Sequence, residues 1–194
     1  MEKLNREDLY TLEKYAEVRK DFRDRVMQHK KARRLAIGPN ATLYFEDRLT
    51  VQYQIQEMLR VEKIFEAQGI QEELDAYNPL IPDGRNWKAT FMVEFEDAGE
   101  RRRQLAKLVG IESRVWLKVD DNAPITPVCD EDLERQTGDK TSSVHFMRFE
   151  LTEADVKALR EGAPIEAGIS HEHYHYTISP IPTEIRDSLV NDLD

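Results

Sequence analysis

The sequence predicts an α+β fold: a ferredoxin-like antiparallel sheet made of two strand–helix–strand units, preceded by N-terminal helices and a short hairpin. Three observations predict it. Over the first 80 positions apolar residues recur at three- and four-residue steps, the period of amphipathic helices. From position 87 to 178 the pattern turns twice from alternation to a short helical stretch and back. The two halves also share a string, Phe91-Met92-Val93-Glu94-Phe95-Glu96 against Phe146-Met147-Arg148-Phe149-Glu150, which is weak evidence of duplication.

Leu9, Leu12, Tyr15 and Ala16, then Phe22, Val26 and His29, trace the first helix. Gly38-Pro39-Asn40 punctuates between Arg34–Ile37 and Ala41–Phe45, which read as a hairpin. A second long helix is expected from Leu49 to Leu74, with Val51, Ile55, Met58, Leu59 and Phe65 as its buried stripe. Asn78 to Gly84 is a loop by composition. Phe91, Val93 and Phe95 then alternate with Thr90, Met92 and Glu94 as a strand. Arg101 to Val109 is helical up to Gly110, and Val115, Leu117 and Val119 mark a second strand. A polar, acidic connection from Asp120 to Lys140 follows. Ser142 to Leu151 is the third strand. Thr152-Glu153-Ala154-Asp155 has capping-box spacing and opens a helix through Val156 and Leu159, closed by Gly162. Pro164 to Ile178 is the fourth strand, and Thr183 to Leu193 a last helix on Ile185, Leu189 and Leu193. In the expected topology the strands of Phe91 and Phe149 are central, the fourth strand is an edge beside that of Phe91, and the N-terminal helices cover the other face. Residues 1–194 are expected as one domain: a helical layer over 1–80, the sheet over 87–178 and the C-terminal helix over 183–193.

At 194 residues the chain is long enough to bury about two thirds of its unfolded surface, so no disulfide or metal is required for stability. Its 38 acidic against 28 basic residues give a net charge of −10, which argues against nucleic acid and anionic membrane as partners. The densest basic run, His29-Lys30-Lys31-Ala32-Arg33-Arg34, reads as a solvated helix face. A single cysteine, Cys129, excludes an intrachain disulfide and fits a reducing compartment. The charged N-terminus suggests no signal peptide, and no stretch approaches the ~20 apolar residues of a membrane span. A cytoplasmic protein is expected.

Three of the five histidines crowd into Ser170-His171-Glu172-His173-Tyr174-His175-Tyr176. On a continuous strand they share one side, and neighbours two apart stand ~6.5–7 Å apart, within reach of one metal ion. His171 and His175, ~13 Å apart, do not share one comfortably. A third ligand would come from His145, Glu94, Glu96, Glu57 or Glu62, and imidazole with carboxylate suits zinc or non-haem iron. The competing and favoured reading is a polar edge that discourages strand pairing. Ile165, Ala167 and Ile169 share the histidines' parity and place them on the inward face; a bulge turning Tyr174, Tyr176 and Ile178 inward would leave them in water. His145, in phase with Met147 and Phe149, reads as a satisfied core histidine. Cys129 reads as an inert thiol, because Asp130, Glu131 and Asp132 disfavour its thiolate. That acidic run lacks the ligand spacing of an EF-hand. Glu57 and Arg60 read as a surface pair, with a charged pocket against the sheet as the alternative.

Five strings stand out along the chain, Phe45–Arg48, Tyr53–Arg60, Tyr77–Gly84, Asp130–Arg135 and Val144–Leu151. On them the chain resembles, over nearly its whole length, an uncharacterised bacterial family, domain of unknown function 3501. The resemblance implies no established activity; it does imply association with rubrerythrin-like proteins and iron–sulfur oxidoreductases, hence peroxide or redox physiology. The family's usual His-Pro-x-Tyr near the C-terminus matches His171 and Tyr174, with Glu172 where proline is usual and with His173 and His175 added. The expected function is a small binding or accessory protein tied to such a redox system, not a catalyst by itself. The alternatives are a zinc or iron protein built on His171 and His173 with His145, and a homo-oligomer paired through its edge strand.

Overall fold

The computed structural model describes residues 2–131 and 140–194; the end of the acidic run and of the string Asp130–Arg135 lies outside them. In chain order the elements are α1 Leu12–Lys31, β1 Arg34–Ile37, β2 Ala41–Glu46, α2 Arg48–Val61, α3 Ala67–Tyr77, β3 Asn86–Val93, α4 Ala98–Lys107, β4 Val115–Val119, β5 Val128–Cys129, β6 Val144–Glu150, α5 Glu153–Arg160, β7 Ile165–His171, β8 Tyr174–Ile178 and α6 Thr183–Val190.

Local chemistry sets the helix starts. The Thr152 hydroxyl accepts from Asp155 N–H while the Asp155 carboxylate accepts from Thr152 N–H, the capping box that the sequence spacing announces. Asp47 and Thr50 close a second box at the head of α2. The single long helix expected to Leu74 is instead two. α2 stops at Glu62, Lys63 adopts a left-handed φ of 56°, and Ile64 N–H turns back to Leu59 O at 2.9 Å. A lysine takes the backbone conformation that glycine usually marks at a helix end. Ile64 then packs on the cluster of Leu59 and Leu74, so side-chain burial holds the break.

The strands form two antiparallel sheets, not one. Five run in the order β1-β2-β3-β6-β5, and three in the order β4-β7-β8. β3 and β6, the first strands of the two units, are central neighbours in register from Asn86–Glu150 to Met92–Val144, as expected. The ferredoxin-like sheet fails at the second strands. The place beside β3 that β7 would take is filled by β2, paired over six residues from Ala41–Val93 to Glu46–Lys88, and β5 caps β6. β4 and β7 therefore pair with each other. The inward faces of both sheets meet in one core: Leu43, Phe45, Trp87, Phe91 and Phe149 from the larger, Leu117, Ile165, Ala167 and Ile169 from the smaller. α6 closes it through Leu189, whose carbonyl accepts from Trp87 Nε1–H at 2.9 Å.

Helices α1 to α3 bury two smaller clusters of their own, one around Tyr15, Phe22 and Val26, the other around Val51, Ile55 and Leu74. They stand along the outer face of the five-stranded sheet without sealing it: residues of α1, α2 and the sheet together line an open hollow there. Among the described residues no helix is long and apolar enough to cross a membrane.

The histidine tract is a hairpin, not one strand beside that of Phe91. β7 ends at His171, Glu172 and His173 make the turn, and β8 returns with Tyr174 opposite His171 and His175 opposite Ser170. The turn contains neither glycine nor asparagine, so the alternating pattern ran straight through it.

Candidate functional site

The hairpin separates the three histidines. His171 continues the inward parity of Ile165, Ala167 and Ile169 and is buried. Its Nδ1 accepts from His173 N–H at 3.2 Å, which leaves the proton on Nε2 to donate to Val109 O at 3.1 Å. Both nitrogens are engaged by backbone. His173 and His175 are exposed; the His173 ring lies 5.9 Å from that of His171, with Glu172 beside it. His145 is fully buried on β6: Nδ1 meets Asp130 Oδ2 at 2.6 Å and Nε2 meets the Thr141 hydroxyl at 2.8 Å. Glu94, Glu96 and Glu62 are exposed elsewhere. Among the described residues no three His, Cys, Asp or Glu side chains gather as a metal would require.

The other polar residues of note are structural joints. Glu57 lies between α2 and α1, where Arg19 forks onto both its oxygens at 2.8 Å and the Tyr15 hydroxyl donates at 2.7 Å; Arg60 adds a longer contact at 3.4 Å. The Arg19 hydrogen bonds, with those of Tyr15 and Arg60, hold its carboxyl down at about 2. Glu57 is therefore an interhelical clamp with Arg60 at its margin. Cys129 is half-buried, and burial first, then the charges of Asp130 and Glu112, push its thiol up to about 12. It stays protonated at neutral pH, as its acidic neighbours suggested.

Arg33, which the sequence offered only as one member of a basic run, is 2% exposed. Its Nε donates to Phe45 O at 3.0 Å and its outer nitrogens reach Asp192 at 3.2 and 2.5 Å and Glu46 O at 3.0 Å. Asp47, 3.3 Å from Arg33 Nε, also meets His29 at 2.5 Å. Burial alone would raise the Asp47 carboxyl, but His29 and Arg33 outweigh it and the pKa lies below the usual carboxylate range. Asp192, buried on the far side, ends above that range because burial outweighs Arg33.

The open chemistry is on the outer face of the larger sheet. Arg34, Tyr44, Thr90 and Phe146 stand in register across β1, β2, β3 and β6; Thr42, Met92 and Val144 form the next row. These rows, apart from the buried Thr42, floor a groove of about 610 Å³ walled by Met27, Lys30 and Lys31 of α1 and by Thr50, Val51 and Gln54 of α2. Tyr77, Leu80 and Phe146 also line an adjoining hollow of about 570 Å³. The Glu46 carboxylate accepts from the hydroxyls of Thr50 at 2.6 Å and Thr90 at 2.8 Å. An apolar floor with a few fixed polar groups, at this volume, is the composition of a small-molecule site.

A family profile for proteins of unknown function, DUF3501, matches residues 3–193. The chain belongs to this family. A DUF3501-like fold is already seen in the crystal structure of a novel protein of unknown function from Burkholderia pseudomallei K96243, 52% identical, with a TM-score of 0.95 and complete coverage of both chains. No curated protein matches.

Within this DUF3501 chain the pair that the family resemblance singles out, His171 and Tyr174, has a structural explanation. The Tyr174 hydroxyl donates to Ile37 O at 2.8 Å and accepts from the N–H groups of Asn40 and Ala41 at 2.9 and 3.0 Å. Gly38 permits this. It has φ +77°, and a methyl group there would stand 2.6 Å from that hydroxyl. The groove residues were missed because outward positions on a half-covered strand carry no signal of their own. Only the register of four strands brings Arg34, Tyr44, Thr90 and Phe146 into one row.

Proposed function

We propose that this DUF3501 protein is a ligand-binding accessory protein whose site is the groove between α1, α2 and the outer face of the five-stranded sheet, and that it does not itself catalyse a reaction. The observation that carries the reading is that the outward residues Tyr44, Met92, Val144 and Phe146 are only half-buried, while the inward positions of the same strands are packed. In the groove the Glu46 carboxylate engages the hydroxyls of Thr50 and Thr90, and Cys129, whose thiol is held protonated, lies outside its lining. The setting we propose is the redox system that the family resemblance implies, with an iron–sulfur oxidoreductase or rubrerythrin-like protein using or supplying the ligand.

A fragment screen followed by amide chemical shifts tests the site. Hits should move the amides of Tyr44, Thr90, Met92 and Phe146 together, and Val144→Trp, which fills the floor, should abolish those shifts while leaving the unfolding free energy within about 1 kcal/mol of wild type. Shifts that cluster at the β7–β8 hairpin, or that survive Val144→Trp, would overturn the reading.

A further inference from the structure

We infer that the groove takes a small anionic amphiphile, with its charged group at the β1 end and an aromatic or aliphatic body lying across β2, β3 and β6. The inference rests on the groove reading above and adds the chemistry of the occupant.

One mouth of the groove is basic on a chain of net charge −10. Lys30 and Lys31 come from the last turn of α1, and Arg34 from β1, whose outward side chain begins the transverse row. Among the described residues none of these three meets a carboxylate. Arg34 instead lies 5.8 Å from the Tyr44 ring centroid and Lys30 5.6 Å from that of Tyr53. Stacking on aromatic rings holds both cations in place without neutralising them. Basic residues favour any helix C-terminus, which accounts for Lys30 and Lys31 alone. Arg34 belongs to a strand and faces the same hollow, so the convergence needs another reason.

Along the row, three interstrand steps of ~4.8 Å separate Arg34 from Phe146, about 14 Å in all. The row runs from a guanidinium through a phenol and a threonine to a phenyl ring, with Met92 and Val144 beside it. Glu46 lies two residues, ~7 Å, along β2 from Tyr44, the partner of Arg34, and its oxygens already accept from Thr50 and Thr90. Head and body are thus assigned to opposite ends. The site is a walled hollow of about 610 Å³, which admits a free small molecule but not the flat surface of a bilayer.

Two fluorescent probes with the same arene body test this: 8-anilinonaphthalene-1-sulfonate, which carries the anion, and N-phenyl-1-naphthylamine, which does not. The sulfonate should bind saturably with one site per chain, at least ten-fold more tightly than the neutral probe, and more weakly as salt is raised. The K30Q/K31Q/R34Q variant should lose most of that ten-fold preference while binding the neutral probe unchanged, and Val144→Trp should lose both probes. Equal binding of both, unaffected by the triple variant, overturns the anionic class and leaves the groove reading intact. Binding of either that survives Val144→Trp overturns the groove reading itself. Sedimentation of the protein with phosphatidylglycerol vesicles, lost in the triple variant while sulfonate binding persists, assigns the cations to a membrane and overturns the inference.

Discussion

Arg33 is buried between two carboxylates on different elements, Asp47 and Asp192. Arg33→Ala leaves Asp192 without its cation and Asp47 with His29 alone, and loss of one partner of a buried pair costs about 3–5 kcal/mol. Urea denaturation should show a loss of that size, and Arg33→Lys should recover only part of it, since an ammonium does not reproduce the planar fork. Glu57 offers a pH test. Its folded-state carboxyl, held at about 2 by Arg19, lies below an unfolded value of about 4.3. The stabilisation is therefore complete above about pH 4.3 and is lost as pH falls through 2. Glu57→Gln should start less stable at pH 7, and the difference from wild type should shrink between pH 5 and pH 2. A difference that stays constant across this range would refute the linkage.

The β7–β8 hairpin acts as a latch on the β1–β2 turn through one hydroxyl and three backbone groups. Tyr174→Phe keeps the ring and removes the hydroxyl, stranding the N–H groups of Asn40 and Ala41 at a cost of roughly 1–3 kcal/mol. Hydrogen exchange at those two amides should quicken more than at amides in the middle of β3. This latch marks where sequence reasoning stopped. Alternation located β3, β4, β6 and β7, and three- and four-residue spacing located α1 and α5, because both signals are local. The breaks at Lys63 and at Glu172-His173 were invisible, since neither uses the glycine or asparagine that usually announces a turn. The division into two sheets was invisible for another reason. It follows from β2 occupying the side of β3 that β7 would have taken, a pairing between segments about 45 residues apart. Histidine spacing was a sound reason to look at residues 171–175, but it presumed a straight strand.

The separate packing of the helical layer has a consequence for binding. The clusters of α1, α2 and α3 are distinct from the core between the sheets, so this layer is expected to open locally at lower free energy than the sheets. The groove lies on that seam, with Met27 and Lys30 on one wall and Thr90 and Met92 on its floor. A ligand spanning it touches both layers and is lost when they part, so binding must oppose their separation. Linkage sets the size: at about 100 times the dissociation constant a ligand contributes about 2.7 kcal/mol to the state that binds it. Amides of α1 and α2 that exchange by local opening should then slow by roughly 100-fold on adding the anilinonaphthalene sulfonate, while those in the middle of β7, inside the core between the sheets, change only through global unfolding. In the ligand-free protein, equal exchange free energies for α1, α2 and β7 would mean that the helices and sheets already open as one unit. Slowing absent from α1 and α2 would mean that the ligand does not bridge the seam.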